Sequence, residues 1–396
     1  MKILVIHCHY QRRGGEDSVF EMEIQLLRDA GHEVIVHTRD NSEIRELSGV
    51  RKLKLISQVI WSSDVHEGIL ELVRRASPDV VHFHNTFPLI SPSAYYACAE
   101  AGVPVVQTLH NYRLLCPGAA FLRDGKVCES CLGRAVPWPG VLHGCYQGSR
   151  AATLAAATML SVHRSAGTWR NKVNLYIALS EFSRRKFIEG GLPAERIVVK
   201  SNFVADRPAR QGFGGDYGLW VGRFSEEKGI RVLIAALGEL SCPVPFKLAG
   251  AGPLFEETAS EIGLRKLNNV DLLGAVSPRE VIGLMHGARF VVVPSVCFEN
   301  FPLVIAEAFA CGVPVVASKI GALAEIVEDG VTGLHFNPGD VRDLAANVEW
   351  AWTHPKVLEE MGRAARSEYE AKYTRERNYD LLMQIYKTAI TQEALK

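Results

Sequence analysis

The stretch that decides the fold runs from residue 291 to residue 318, VVVPSVCFENFPLVIAEAFACGVPVVAS. A short β-branched run, Arg289–Val293, leads into it and predicts a buried strand. The apolar segment from Pro302 to Gly312 predicts a helix, and Pro314–Ala317 predicts the next buried strand. A strand, a loop, a helix and a second strand in this order are typical of a parallel sheet covered by helices.

Two glutamates accompany the predicted helix, Glu299 in the loop before it and Glu307 in its second turn. Pro302 suits the first helical position, because its missing N–H would have no intrahelical partner there. The N–H groups of a helix N-terminus bind anions such as phosphate, and carboxylates accept hydrogen bonds from sugar hydroxyls. An ordinary surface helix, with one glutamate favoured by the helix dipole and one solvated, explains the same residues. This segment alone leaves both interpretations open.

Length and composition limit the class of protein. The chain has 396 residues, of which 47% are apolar and 22% charged, and these values predict a soluble protein of two domains. No apolar run approaches the roughly 20 residues needed to span a bilayer, and the N-terminal run Lys2–Cys8 is shorter than the core of a signal peptide. We therefore expect a cytoplasmic protein with no nucleic-acid partner. The first 200 residues carry an excess of positive charge, compatible with an anionic membrane surface or with an uneven solvated surface.

Strand and helix patterns alternate along almost the whole chain. They predict an α/β protein built from two doubly wound, Rossmann-like domains facing a central cleft. A loop rich in Pro, Gly and polar residues, 205–217, marks the linker. We therefore predict an N-terminal acceptor-side domain over residues 1–204 and a C-terminal domain over residues 218–375. Residues 356–392 are predicted to be helical, and the last part, 376–396, to return to the first domain.

The second half opens on a basic, glycine-containing loop, GLWVGRFSEEKGI. Arg223 follows the predicted strand directly, and Lys228 comes just before a predicted helix. A planar guanidinium and a compact ammonium together suit a diphosphate. Glu226 and Glu227 offer an alternative, in which they pair with the two cations as an ordinary surface cluster. Two strands later, KLAGAGP supplies Gly250, where the backbone can approach a ligand closely.

Taken together, these motifs resemble those of the family-4 glycosyltransferases, retaining enzymes of GT-B architecture. GRFSEEKG, LAGAGP, the two glutamates and GALAEIVEDGVTGLHF occur in the family's order over nearly the entire second domain. In the first domain PDVVHFHN, TLHN and the Gly14–Gly15 loop match family positions. One motif departs, because SNFVAD has Phe203 where the family often has glycine.

The resemblance implies an activity and a mechanism. The protein would move a sugar with retention from a nucleotide-sugar donor, a UDP- or GDP-sugar, to a glycan or lipid-linked acceptor in surface or extracellular polysaccharide synthesis. Retention would proceed by same-face attack, in which the leaving phosphate helps to deprotonate the acceptor. The chain has no Asp-x-Asp motif, so we expect no catalytic metal.

The resemblance also implies roles for individual residues of the second domain. Arg223 and Lys228 would bind the diphosphate and stabilise charge on the leaving phosphate. Glu307 would bind the ribose hydroxyls, and Glu299 would orient the transferred sugar. The further residues expected to contact the donor are Gly14, Gly15, Gly250, Asn300, Phe301, Leu303 and Val304.

Histidines are prominent in the first domain. His110, in TLHN, falls where the family places a histidine against the donor sugar, and we expect a catalytic role in which it donates a hydrogen bond to that sugar. His82 alternates within a strand and is expected in the core. His7, His9 and His84 lie near strand ends and are candidates for lining the acceptor side.

Four cysteines form a separate pattern within the irregular segment 116–145: Cys116, Cys128, Cys131 and Cys145. A Cys-x-x-Cys pair flanked by two further cysteines has the spacing of a structural zinc site with four thiolate ligands. Such a zinc knuckle would hold in place a long loop that has no obvious secondary structure. Disulfides and an iron–sulfur cluster remain alternatives, although a cytoplasmic location disfavours disulfides.

An apolar helix is predicted after the knuckle, over Ala151–Val162. Basic residues flank it on both sides, and at about a dozen residues it is too short to span a bilayer. It either packs in the core or makes peripheral contact with a membrane or a lipid-linked acceptor.

Two other functions compete with glycosyl transfer. One is a different GT-B reaction, such as sugar-nucleotide epimerisation or phosphorolysis. The other is a non-catalytic protein that binds nucleotide sugars or acts as a scaffold, using the knuckle as a docking surface. The presence of both cations and both glutamates disfavours the scaffold, which would need none of the four.

Overall fold

The structure is a computed structural model that describes residues 1–11, 14–46, 49–209 and 215–395. Part of the predicted linker, residues 210–214, lies outside the described residues. Backbone contacts divide the chain into two compact units. The first unit consists of Met1–Phe121, Cys128–Ser201 and Asn378–Lys396, and the second of Leu122–Val127 and Asn202–Arg377.

Strands and helices alternate as the sequence predicts. The strands are, in chain order, β1 Lys2–His9, β2 Glu33–Asp40, β3 Val80–Phe83, β4 Val105–Thr108, β5 Leu122–Arg123, β6 Lys126–Val127, β7 Leu175–Ala178, β8 Ile197–Val199, β9 Tyr217–Val221, β10 Phe246–Ala249, β11 Val270–Gly274, β12 Ala288–Val293, β13 Val315–Ser318 and β14 Gly333–Phe336. The helices are α1 Gly15–Asp29, α2 Gly49–Ile60, α3 Ser63–Ala76, α4 Ser93–Glu100, α5 Trp138–His143, α6 Arg150–Ser165, α7 Thr168–Asn171, α8 Glu181–Glu189, α9 Ile230–Leu237, α10 Phe255–Leu264, α11 Pro278–Gly287, α12 Leu303–Ala310, α13 Leu323–Ile326, α14 Val341–Thr353, α15 Pro355–Lys372 and α16 Arg375–Ala394. Short 3-10 helices occupy Asn41–Glu46, Ala194–Arg196 and Glu226–Lys228.

Each unit contains one six-stranded parallel sheet. The strand order is β2-β1-β3-β4-β7-β8 in the first unit and β11-β10-β9-β12-β13-β14 in the second. In each sheet the chain first adds strands on one side of a central strand and then continues on its other side. This reversal of strand order lies between β1 and β3 in the first sheet and between β9 and β12 in the second. Ligands of doubly wound sheets bind beyond the carboxyl ends of the strands at this reversal. The predicted doubly wound α/β architecture is therefore confirmed, and it indicates where to look for a site.

The central strands of both sheets are buried on both faces, which explains their almost continuously apolar sequences, whereas the edge strands β2 and β11 are partly exposed. Residues 3–8 of β1 are all buried, including His7, and β12 is buried at every position except Arg289. In the second unit Trp220, Phe246 and Phe290 lie at the centre of one apolar cluster under the helices. Among the described helices, none combines the length and the apolar character that crossing a bilayer requires.

Two helix boundaries differ from the sequence prediction. Helix α12 begins at Leu303, and Pro302 is the residue that caps it, because its ψ of 112° is extended and not helical. The predicted helix over residues 356–392 is two helices, α15 and α16. They are separated at Tyr373 and Thr374, and the Thr374 hydroxyl accepts a hydrogen bond from the Arg377 N–H at 3.3 Å, a side-chain cap that starts a new helix.

Candidate functional site

The loops that follow β9, β10 and β12 pack backbone against backbone at one edge of the second sheet. A side chain at Gly250 would overlap the carbonyl oxygen of Gly222, and one at Gly229 would overlap that of Pro294. Gly250 also has a φ of 141°, which favours glycine. Gly250, which the sequence predicts to admit a ligand, thus serves together with Gly229 to bring these loops close to one another.

Lys228 and Glu299 form an ion pair at this edge. Lys228 Nζ lies 2.6 Å from Glu299 Oε2, and the Ser295 hydroxyl donates to the other carboxylate oxygen. Burial by itself lowers the pKa of Lys228, but attraction to Glu299 outweighs it and raises that pKa. The lysine is therefore a charged ammonium with three N–H donors, of which Glu299 uses one and two remain for a ligand.

Arg223 is exposed immediately after β9. In the part of the chain that the structure describes, its guanidinium forms no ion pair, and the predicted alternative of pairing with Glu226 and Glu227 is not observed. Glu227 instead accepts a hydrogen bond from the Ser225 hydroxyl at 2.6 Å. Arg223 thus remains available to an anion from solution.

Glu307 lies in the second turn of α12, the helix whose N-terminus follows the loop from β12. Burial is the main influence on its carboxyl group and raises its pKa, while the charge of Arg207 opposes this shift. The carboxyl group accepts no hydrogen bond from the described residues. Asn300 and Phe301, just before the helix, are buried, whereas Leu303 and Val304 are half-buried. A half-buried carboxylate that meets no donor of the protein is a group to which ligand hydroxyls could donate.

The loop after β1 in the first unit is held by Asp17. The rings of His7 and His9 lie 2.9 and 3.0 Å from Asp17 Oδ1, and the Gly14 N–H donates to Oδ2 at 2.9 Å. Burial would raise the pKa of Asp17, but these hydrogen bonds lower it to about 2. Asp17 thereby caps the N-terminus of helix α1, which begins at Gly15. Sequence reasoning missed Asp17, although a His-x-His strand end followed by an acidic helix start was the available signal.

A second buried network lies beside it and includes His110. Glu23 is 2% exposed, and its carboxylate lies 3.0 Å from Lys200 Nζ, 3.1 Å from His82 Nδ1 and 3.3 Å from His84 Nε2. His84 Nδ1 in turn lies 2.9 Å from His110 Nε2. Burial lowers the pKa of His84 to about 3 and that of His110 well below its usual value. Both rings are therefore neutral at physiological pH.

The last helix, α16, completes this network within the first unit. Asn378 Oδ1 accepts a hydrogen bond from Lys200 Nζ at 3.1 Å, and the Tyr386 hydroxyl lies 2.7 Å from His82 Nδ1. On the other side of the His82 ring, Nε2 lies 2.8 Å from the Thr108 hydroxyl. His82 is thus a buried and fully partnered core residue, as its position in the strand predicts.

Asn111, which follows His110 in TLHN, anchors the same edge. Its amide donates to Glu16 Oε1 at 2.9 Å and to the Tyr10 hydroxyl at 3.0 Å. Burial raises the pKa of Glu16 to about 7, partly offset by the hydrogen bonds from Asn111 and Tyr10. The TLHN loop and the loop after β1 are therefore joined by side chains of both.

Two groups of three side chains have the spacing of a metal site. His7, His9 and Asp17 form one, and Glu23, His82 and His84 form the other, with ligand atoms within 4.8 Å of one another. In the second group the ammonium of Lys200 already neutralises Glu23, which disfavours a further cation. In the first, the Asp17 oxygens are already engaged by the N–H of Gly14 and by both rings. Hydrogen bonding accounts for the first group, whereas in the second Glu23 Oε1 and His84 Nε2 are buried without a hydrogen-bond partner among the described residues.

The four cysteines of the predicted knuckle are near one another but do not form a closed site. Cys116 and Cys131 are buried, and Cys128 and Cys145 are half-buried. Burial and the three neighbouring thiols raise the pKa of Cys131 to about 11. No three of these sulfurs, all within the described residues, lie within 4.8 Å of one another, whereas Zn–S bonds of about 2.3 Å place tetrahedral sulfurs about 3.8 Å apart.

Comparison with known proteins identifies the class of protein. A model of Glycosyltransferase Family 4 matches residues 13–207, and one of Glycosyl transferases group 1 matches residues 214–368. An uncharacterised glycosyltransferase of Methanocaldococcus jannaschii is 33% identical over 95% of both chains. A glycogen synthase of Mycobacterium tuberculosis is 28% identical over 86% of this chain and 83% of the relative. The chain therefore belongs to family 4 of the glycosyltransferases.

Solved structures show the same fold. HepE of Anabaena, in complex with UDP, has a TM-score of 0.70 at 19% identity and covers 98% of this chain and 100% of its own. Sucrose-phosphate synthase of Thermosynechococcus elongatus has a TM-score of 0.72 at 17% identity, covering 99% and 100%. The predicted GT-B fold is confirmed, and because both family models describe transferases, the alternative functions gain no support.

Proposed function

We propose that this protein is a retaining, metal-independent hexosyltransferase that moves a sugar from a nucleotide sugar to a glycan or lipid-linked acceptor. The observation that carries the proposal is Glu307, a half-buried carboxylate of raised pKa that accepts no hydrogen bond from the described side chains. The two hydroxyls of a ribose would supply the missing donors. A uridine nucleotide is the first candidate, since HepE has been solved with UDP and with UDP-glucose. The second unit would hold this donor, and the first would receive the acceptor.

The chemistry follows from the charges at the edge of the second sheet. As the bond between the anomeric carbon and the diphosphate oxygen breaks, negative charge develops on the leaving phosphate. This negative charge would be stabilised by Arg223, by the two spare N–H groups of Lys228 and by the amides from Asn300 to Val304. The leaving phosphate oxygen would take the proton of the acceptor hydroxyl as that oxygen bonds to the same face of the sugar. Glu299, paired with Lys228 and Ser295, would orient the sugar and not attack it.

A nucleotide-sugar screen tests this proposal. Melting temperatures are measured with UDP- and GDP-sugars in excess EDTA, and the preferred donor should raise the melting temperature by mass action. The product of that donor is then analysed by NMR, and its new linkage should keep the anomeric configuration of the donor. Inversion, or activity only after addition of a divalent cation, would contradict the mechanism.

We further propose that the acceptor side makes peripheral contact with an anionic membrane, as a lipid-linked acceptor would require. Between Ser130 and Ser180 the sequence has no Asp or Glu but five Lys and Arg. The same segment contains apolar side chains that are more than half exposed, namely Val136, Trp138, Leu142 and Leu154. Basic residues beside exposed apolar groups favour the interface of anionic lipids.

Co-sedimentation with vesicles tests the membrane contact. Binding should occur with vesicles rich in phosphatidylglycerol, be weak with phosphatidylcholine alone and decrease at high salt. Trp138→Ser with Leu154→Ser should reduce binding, whereas Leu264→Ser, at a still more exposed leucine of α10 in the second unit, should not. Equal binding by both variants would exclude this surface.

A structural zinc bound by Cys116, Cys128, Cys131 and Cys145 remains a proposal, supported by their spacing and by the proximity of the other three thiols to Cys131. Closing the shell would require the sulfurs to move together. Metal analysis of the purified protein should give one zinc per chain. Cys128→Ser should lose that zinc, and Cys242→Ser, at a half-buried cysteine of the second unit, should keep it. An iron content or a metal-free protein would contradict the proposal.

A further inference from the structure

We propose that Glu23 is a positioning residue that, through His84, keeps the proton of His110 on Nε2 and leaves Nδ1 as a hydrogen-bond acceptor for a substrate hydroxyl. The inference rests on the proposed function and on the role that the family resemblance implies for His110, a contact with the transferred sugar. In the sequence-based expectation His110 donates a hydrogen bond to that sugar, whereas here it accepts one.

Glu23 is an ionised carboxylate. Burial favours its neutral form, but the charges of Lys200 and His82 outweigh burial and lower the pKa of Glu23 well below its usual range. The lysine ammonium, itself 1% exposed, lies 3.0 Å from Oε2. An ionised carboxylate can only accept hydrogen bonds. Every polar group that faces Glu23 therefore has to present a proton or a positive charge to it.

His84 presents such a group through Nε2, which lies 3.3 Å from Glu23 Oε1. Both atoms are buried, and neither has a well-aligned hydrogen-bond partner among the described residues, so each can complete the other. An unprotonated Nε2 would direct a lone pair at a carboxylate oxygen in a poorly solvated interior, where the repulsion is large. The proton of the neutral His84 ring therefore lies on Nε2, and its Nδ1 is bare.

The bare Nδ1 of His84 determines the tautomer of His110. His84 Nδ1 and His110 Nε2 are 2.9 Å apart, a hydrogen bond that needs one proton. Since His84 cannot supply it, the proton belongs to His110 Nε2. His110 is neutral as well, so its Nδ1 carries none and can accept a hydrogen bond but not donate one. Within the described chain Nδ1 has no hydrogen-bond partner, so it is available to a ligand.

The neighbouring groups oppose the alternative proton arrangements. A doubly protonated His84 or His110 would place a positive charge in a pocket where burial lowers both pKa values and where His7 and His82 lower them further. Protonated Glu23 would leave the buried ammonium of Lys200 without its counter-ion. The arrangement with Nδ1 bare is the one that leaves every charge of the cluster paired.

The tautomer of His110 affects which sugar the site prefers. A bare Nδ1 favours a sugar that offers a hydroxyl at the contacted position and disfavours one that offers only an acceptor there, such as a carbonyl oxygen. A donating His110 would have the opposite preference. The buried Glu23, which belongs to none of the motifs that carry the family resemblance, would thus influence specificity without touching the substrate.

The wild-type protein alone tests the tautomer. In a protein labelled with ¹⁵N at histidine, two-bond couplings between ring nitrogens and carbon-bound protons separate protonated from bare nitrogens, and His110→Gln assigns the signal. We expect Nδ1 of His110 to have the chemical shift of a bare nitrogen at pH 7. A proton on Nδ1 would overturn the inference. This measurement needs no donor, so it remains decisive even if the protein transfers no sugar.

Glu23→Gln tests the role of Glu23. Its amide can donate to His84 Nε2, which permits the reverse tautomers and moves the proton of His110 to Nδ1. We expect the corresponding change in the ¹⁵N spectrum and a fall in kcat of about ten- to a hundred-fold, the range for partners that orient a functional histidine. Glu21→Gln removes a charge from the exposed side of the same helix and should change neither.

A stability control keeps this test decisive. Glu23→Gln leaves Lys200 without its counter-ion, so the double variant Glu23→Gln/Lys200→Met, which buries no net charge, is measured as well. If either variant folds and retains a bare Nδ1 at His110, Glu23 is not the group that fixes the tautomer. If the tautomer reverses and kcat falls, both parts of the inference hold.

Discussion

The carboxyl edges of the two sheets differ in how their polar groups are satisfied. At the edge of the first sheet Asp17 is engaged by both histidine rings and an N–H, and Glu23 faces Lys200 and His82. At the edge of the second sheet, Arg223 is exposed and the carboxyl group of Glu307 meets no donor among the described residues. Side chains that are paired within the protein have a fixed position before any ligand binds. Polar side chains without a protein partner are places where a ligand can supply that partner.

The comparison separates two kinds of contribution to one reaction. The first edge is preorganised, so its substitutions should act on stability and on the orientation of His110. The second edge is completed by the donor, so its substitutions should act on binding and turnover and leave the fold intact. The predictions below take these effects from the largest to the smallest.

Lys200→Met should destabilise the protein most. It leaves Glu23 buried without its counter-ion, and breaking a buried pair in this way costs about 3–5 kcal/mol. Urea unfolding monitored by circular dichroism should show this loss in the free energy of unfolding. Adding Glu23→Gln to the Lys200→Met variant should restore part of that free energy. If Lys200→Met alone were as stable as the wild type, water would have to reach Glu23. This result would contradict the claim that the polar groups at the first edge are paired within the protein.

Arg223→Ala should leave the fold unchanged and reduce turnover about 10²–10³-fold, equivalent to about 2.7–4 kcal/mol of transition-state stabilisation. Initial rates with the preferred donor measure the effect, and the melting temperature checks the fold. Arg279→Ala, at an exposed arginine of α11, is the matched control and should be fully active. Equal rates for both variants would remove Arg223 from the site.

Asp17→Asn should produce a loss of stability that depends on pH. The pKa of Asp17 is lowered to about 2 from 3.8, so its carboxylate contributes about 2 kcal/mol above the unfolded value, and this contribution disappears as the pH falls towards 2. Unfolding free energies of variant and wild type should therefore differ at pH 7 and converge near pH 2.5. A difference that is independent of pH would show that Asp17 does not act through its charge.

Glu307→Gln should stabilise the ligand-free protein slightly, because it removes a carboxylate whose charged form is disfavoured by partial burial. The pKa of Glu307 is raised, so the wild type loses stability as pH rises through that value, and the gain should appear at pH 7–8 and vanish at pH 4. Glu256→Gln, at an exposed glutamate of α10, controls for the change in charge. A destabilised Glu307 variant would imply an internal partner and would weaken the contrast between the edges.

Local patterns were enough to predict the architecture. The strand Phe246–Ala249 is found where the sequence predicts it, since a short apolar run buried on both faces allows few alternatives. Arg223, Lys228, Glu299 and Glu307 lie on loops or helix starts beyond neighbouring strands of one sheet, as the strand-and-helix alternation requires.

Long-range pairing could not be predicted in the same way. The Lys228–Glu299 pair joins residues 71 positions apart, and the Lys200–Glu23 pair joins residues 177 positions apart. Asp17 and Glu23 look like solvated residues of an amphipathic helix, and only the fold brings histidines and a lysine against them. The proton arrangement proposed for His110 rests on such distances, which the sequence alone does not supply.

Calorimetric titration of UDP into the protein tests the central claim most directly, that the edge of the second sheet binds a nucleoside diphosphate through its own side chains. The titration is made in excess EDTA with wild type, Glu307→Ala and Glu256→Gln, and with GDP in parallel. We predict that one of the two nucleotides binds wild type and Glu256→Gln equally, and that Glu307→Ala loses at least tenfold in affinity. Equal affinity for all three proteins, or binding only when a divalent cation is restored, would contradict the account.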